Sequence, residues 1–117
     1  MSFSISDPVS AVLNSALDGI SVRQNVTADN IANVDTPGYR AGSVDFETSL
    51  RAAIAAGDPN ASISVTTEAT DTPVGANDNN VDLREETLVA VQSQYQYQIL
   101  TRATTDRFKL ISTVATS

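Results

Sequence analysis

Apolar residues near the start of the chain recur at Val9, Val12, Leu13, Ala16, Leu17 and Ile20, and return at Ala28, Ile31 and Val34. Steps of three and four put them on one side of a helix, so the pattern predicts a helix over residues 7–34. Asp7 suits the N-cap and Pro8 the first helical position, where its missing N–H is no loss. Gly19 and the polar stretch 23–25 weaken the middle of this helix. The stop is Asp35-Thr36-Pro37-Gly38. Pro37 pushes Thr36 toward extended backbone, and Pro-Gly favours a type II turn with Gly38 at positive φ. Helical throughout, the segment would be about 40 Å long.

The middle is rich in small residues. Phe46, Leu50 and Ile54 lie four apart with Gly57 just beyond, which predicts a short helix over 45–56. Ile63 and Val65 alternate with Ser62, Ser64 and Thr66 and read as a brief extended strip. Residues 67–80 carry Pro73, Gly75 and a run of Asn and Asp and read as a loop, with disorder in the isolated protein left open.

The last third is one long helix. Asp82 followed by Glu85 makes a capping-box-like start, and residues 83–114 hold neither Gly nor Pro. Arg102, Arg107 and Lys109 fall toward the C-terminal end, where cations suit the helix dipole. The helix would be about 48 Å long. Leu88, Val91, Tyr95 and Ile99 share one face, Tyr97, Leu100, Phe108 and Ile111 another, and Leu110 and Val114 fall between. A single partner needs only one stripe. Apolar residues around much of the circumference mean either a larger bundle or burial by other molecules, and with two long helices in 117 residues the second is favoured. The expected fold class is all-α: helix 1–36, a turn, short helix and acidic loop over 37–80, and helix 81–117. The residues expected to pack are Leu13, Leu17, Ile20, Leu88, Val91, Tyr95, Ile99, Leu100, Phe108 and Ile111.

Charge narrows the partners. The net charge of −7 sits in residues 35–86, where ten acidic side chains face Arg40, Arg51 and Arg84. Residues 1–34 carry Asp7, Asp18 and Asp29 against Arg23, and residues 87–117 carry Asp106 against Arg102, Arg107 and Lys109. Nucleic-acid binding wants a basic stripe, which is missing. A solvated acidic middle that keeps the chain soluble is the simplest reading. The longest apolar run, residues 52–56, is too short to span a bilayer. Residues 1–8 hold no Lys or Arg and include Asp7, unlike a cleavable signal peptide.

Catalytic chemistry finds little footing. The chain has no His and no Cys, which removes the commonest base and every thiolate site. Lys109 has no Ser-x-x-Lys pattern around it and reads as a solvated lysine. Asp45 with Glu47, and Glu85 with Glu86, sit at helix starts, where capping outweighs acid–base work. Residues 77–82 offer oxygen ligands but lack the interior Gly and spaced Glu of an EF-hand loop. No catalytic, cofactor or metal residue is assigned. In Asn30-Ile31-Ala32-Asn33, the carboxamides can satisfy free carbonyls or bridge to another backbone. A fraying helix end followed by a turn is slightly favoured over the bridge.

Residues 28–40, Ala-Asp-Asn-Ile-Ala-Asn-Val-Asp-Thr-Pro-Gly-Tyr-Arg, resemble the signature of flagellar rod and hook axial proteins, roughly A-x-N-I-A-N-x-x-T-P-G-Y. Asn79-Asn80-Val81-Asp82-Leu83 with Glu85-Glu86 resembles the N-N-V-D-L-x-x-E segment of proximal-rod members of that flagellar basal-body rod family. The short middle points the same way, since distal rod and hook proteins carry larger central domains. Tyr95-Gln96-Tyr97-Gln98 fits the family's aromatic patch. The resemblance marks Asn30, Ile31, Asn33, Thr36, Pro37, Gly38 and Tyr39 as an assembly motif. It implies terminal helices paired antiparallel as a coiled coil, lining a helical tube that transmits torque and encloses the export channel. It further implies export through the flagellar type III apparatus without signal cleavage, to the periplasmic rod. Expected neighbours are copies of the chain, other rod subunits, and the adaptor joining rod to membrane ring. Alternatives are another axial subunit, such as the second proximal rod protein, and an unrelated helical-hairpin binding module. Long helices that bury little alone should order on assembly.

Overall fold

The computed structural model describes residues 8–57 and 65–116. Two long helices dominate, α1 (Pro8–Ala32) and α3 (Leu83–Thr116), with β1 (Gly42–Asp45), α2 (Glu47–Ala56) and β2 (Thr66–Ala69) between them. The molecule measures 62 × 25 × 17 Å with a radius of gyration of 17.8 Å. A globular chain of this length would have a radius of about 13 Å, so this one is long and thin. Asp7, the expected cap of α1, lies outside the described residues, as does Ile63.

The helices are antiparallel. Asn30 of α1 meets Glu86 near the start of α3, while Ala16 and Ile20 share a groove with Leu100 farther along. Near the start of α3 the side facing α1 is small and polar rather than large and apolar. The α3 side chains buried most deeply are Glu86 and Ser93, and Leu100, one heptad step on, packs against the core. The seven-residue spacing keeps all three on the side facing α1.

The chain is not all-α. β1 and β2 pair antiparallel, with Gly42 opposite Ala69 and Asp45 opposite Thr66. Only Val44 of β1 is buried and β2 is exposed along its length. Four-residue strands with one inward apolar residue carry too little alternation to be read from sequence. The expected loop over 67–80 thus begins inside β2, and the extended strip at Val65 leads into it.

Beneath this sheet lies the core: Ala16, Ile20, Val44 and Phe46, with Val26, Leu50, Val65 and Leu100 packed around them. Gly19 is what lets Phe46 in. A Cβ on Gly19 would stand 2.5 Å from Phe46 Cγ, so the ring rests directly on the α1 backbone. Arg23, one turn further along α1, sets its guanidinium 4.9 Å from the ring centroid. It donates to the Val44 carbonyl at 2.7 Å and pairs with the Glu47 carboxylate. The residues read as weak points of α1 therefore anchor the middle segment to it.

The helix ends follow local chemistry. Asp45 accepts from the Thr48 N–H at 3.3 Å and the Thr48 hydroxyl at 3.0 Å, capping α2. Gly57 ends it at φ +64°. At the start of α3, Asp82 Oδ1 accepts from the N–H groups of Arg84 and Glu85. No helix among the described residues is long and apolar enough to cross a membrane.

Candidate assembly interface

Beyond Ala32 the chain turns sharply without fraying. Asn33 donates from Nδ2 to the Asp29 carbonyl at 2.7 Å, and its Oδ1 accepts from the Thr36 hydroxyl at 3.0 Å. The Tyr39 N–H closes the turn onto the Thr36 carbonyl at 3.2 Å, with Gly38 at φ +76°. That is the type II turn Pro37-Gly38 prescribes.

Asn30 is the bridge that the sequence reading ranked second. Its Nδ2 donates to the Gly42 carbonyl at 2.8 Å, and its Oδ1 accepts from the Gly42 N–H at 3.1 Å and the Tyr39 hydroxyl at 3.3 Å. The Glu86 carboxylate faces the same amide. A carboxamide offers two donors and two lone pairs, and here one donor and both lone pairs are used on a residue only 1% exposed.

The second asparagine pair returns the grip from the far end of the sequence. Asn79 donates to the carbonyls of Asn33 and Thr36, both at 2.8 Å, and accepts from the Val81 N–H at 2.8 Å. Asn80 Oδ1 accepts from the Ala41 N–H at 2.6 Å, and its Nδ2 donates to the Thr70 hydroxyl. Gly38 N–H reaches the Asn77 carbonyl at 2.9 Å, and Arg40 pairs with Asp78 at 2.8 Å. Asn77 and Asp78 both sit at positive φ, which Asn and Asp tolerate. The two motifs form one clamp, built mainly from side-chain amides on backbone groups.

Residues 12–40 match the family model described as "Flagella basal body rod protein". The chain is 33% identical to the "Flagellar basal body rod protein FlgB" of Bacillus subtilis, over 89% of this chain and 90% of that one. It is 31% identical to the protein of the same name from Borreliella burgdorferi, over 84% and 88% of the two chains. The chain belongs to the FlgB family of flagellar basal body rod proteins. It is a structural rod subunit by that membership. A shorter match, 53% over 36 residues and 31% of this chain, links it to the Escherichia coli FlgB, of which it covers 26%.

In this FlgB-family fold the clamp gathers Asn30, Asn33, Thr36, Gly38 and Tyr39 with residues 77–80. Pro37 is exposed at the tip of the turn. Ile31 stands apart, half-buried in a groove with Ala90 and Gln94 between the long helices. The residues expected to pack fall into two groups. Ile20 is buried, Leu100 packs on the core, and Leu13, Leu17 and Ile111 are half-buried. Leu88, Val91, Tyr95, Ile99 and Phe108 are exposed, from 49% at Val91 to 71% at Phe108. At about 100° per residue, Leu88, Val91, Tyr95 and Ile99 lie nearly opposite the row of Glu86, Ser93 and Leu100.

Glu86 is the residue whose place the sequence concealed. Read as part of an acidic helix start, it is 7% exposed and faces Asn30. Burial pushes its carboxyl above the usual range, partly offset by the Asn30 amide, with Glu85 and Asp82 adding to the rise. Its position as the glutamate of N-N-V-D-L-x-x-E was the one available signal. Asp45 moves the other way, held below the usual range by its bonds to Thr48.

Proposed function

We propose that this chain is a proximal-rod subunit whose terminal helices assemble with neighbouring copies and other rod subunits into a helical tube around the export channel. In that role it catalyses nothing. It transmits torque as part of the tube wall, occupies the periplasmic rod, and arrives there through the flagellar export apparatus without signal cleavage. The adaptor between rod and membrane ring is its neighbour at the inner end.

One observation carries the reading: the α3 face turned away from α1 bears the open stripe of Leu88, Val91, Tyr95 and Ile99. A row of this kind running about 17 Å along a helix is surface for other helices rather than for water. The clamp holds the turn after α1 and the start of α3 together, which sets how the two helices are presented to a neighbour. With a thin core, the long helices are further stabilised when neighbours cover them, so ordering accompanies assembly.

The test is Tyr95→Asp. Tyr95 is 64% exposed, so the chain itself should keep its stability to within about 0.5 kcal/mol. Cells carrying it should build membrane rings but no rod; normal swimming would overturn the assignment of this stripe.

A further inference from the structure

We propose that the C-terminal end of α3 docks into the trough beside Phe46 on a second copy of this chain, a head-to-tail contact resting on the rod-subunit reading above. That trough is an apolar groove of about 250 Å³ lined by Ala16, Ile20, Phe46, Leu50, Ile99 and Leu100. Glu47 and Gln96 line both it and a neighbouring hollow of about 380 Å³. The hollow presents Glu47, Glu85 and Glu86 against one cation, Arg23, already engaged by Glu47. Together they make a continuous surface, apolar at one end and acidic at the other.

The end of α3 has the complementary character. Phe108, at 71%, is the most exposed large apolar side chain among the described residues. Lys109 and Arg102, both exposed, share a side of the helix about 100° around from it. Residues 87–117 are the part of the chain with net positive charge, while residues 35–86 carry the acidic excess. The end of α3 cannot reach the trough of its own copy. Ile99 and Leu100 form one wall, and Phe108 lies about 12 Å farther along the same continuous helix. An α3 end seated there comes from another molecule. Because trough and helix end are different surfaces, each copy offers one and receives the other, and such a contact extends a line or helix of subunits instead of closing a dimer.

The chain has no cysteine, so paired cysteines give a clean test. A Leu50→Cys, Phe108→Cys double variant with unchanged helix content should form a ladder of disulfide-linked oligomers on oxidation, while each single variant stops at a dimer. Phe108→Ser should weaken self-association about tenfold or more, the value of one aromatic side chain buried. Lys109→Glu should weaken it in a salt-sensitive way, and adding Glu85→Lys should restore it. No ladder, unchanged self-association of Phe108→Ser, or failure of the charge swap to restore binding would overturn the contact. Crosslinking of Phe108→Cys to a different rod protein would overturn the choice of a second copy. Rods that form with Phe108→Ser but not with Tyr95→Asp would remove this contact alone and leave the rod-subunit reading standing. Rods that form with both would remove the stripe as well.

Discussion

Asn30 and Gly42 are joined in both directions, the Asn30 amide donating to the Gly42 carbonyl at 2.8 Å and the Gly42 N–H donating back to Asn30 Oδ1 at 3.1 Å. One buried side chain of α1 thus acts as a substitute strand edge for β1. Replacing it strands both backbone groups, with the Tyr39 hydroxyl besides. Asn30→Ala should cost about 2–4 kcal/mol, as expected when several buried partners lose their bonds together. Asn30→Asp should cost at least as much, because a carboxylate cannot donate to Gly42 and faces Glu86. Urea titration followed by circular dichroism would measure both, and a loss under about 1 kcal/mol would contradict the clamp.

Gly19 offers a test in which two effects oppose each other. Alanine favours a helix over glycine by about 1 kcal/mol. Here its Cβ would meet the Phe46 ring at 2.5 Å, and the ring is itself buried in the core with Ala16, Ile20 and Val44. Overpacking of about 1–3 kcal/mol should win, so Gly19→Ala lowers the melting temperature. In a Phe46→Ala background the same change should raise it. Thermal unfolding of the four chains would give the sign in each background.

Gly38 and Gly57 form a matched pair. Both hold positive φ, +76° and +64°, and neither has an atom within 4 Å of where a Cβ would sit. Valine at either position should therefore cost a similar backbone strain, roughly 1–2 kcal/mol. Only Gly38 belongs to the clamp, through its N–H bond to Asn77. Gly38→Val should abolish motility and Gly57→Val should leave it intact; equal loss of swimming would mean that strain alone is responsible.

Glu86 makes the pH dependence specific. Its folded pKa is raised, chiefly by burial, so the folded state binds its proton more tightly than the unfolded chain does. The resulting stability is fully present below the ordinary glutamate range and is lost as pH rises through the raised value. Glu86→Gln keeps an acceptor for Asn30 without the buried charge. It should stabilise the chain at pH 7, and the advantage should shrink as pH falls through the raised pKa. Asp45 runs opposite: its pKa is lowered by Thr48, so its contribution is present above the ordinary carboxylate range and lost on acidification. Denaturation midpoints across pH 3–8 (roughly the range that brackets both carboxylates) would separate the two, and an Glu86→Gln difference independent of pH would contradict the burial.

Much of this protein is written locally. Helix ends at Asp82, Gly57 and the Pro37-Gly38 turn follow from residues within a few positions of one another, because caps and turns are short-range chemistry. The apolar stripe of α3 is equally local, since a helix repeats every 3.6 residues. What only the tertiary structure decided lies between distant segments. Asn79 holds a carbonyl 46 residues away, Phe46 needs the bare backbone of Gly19, Val44 finds its strand partner at Thr67, and Glu86 is buried against Asn30. No periodicity marks such pairs. An asparagine at a helix end or a glycine inside a helix looks like a defect until the segment that uses it is folded against it.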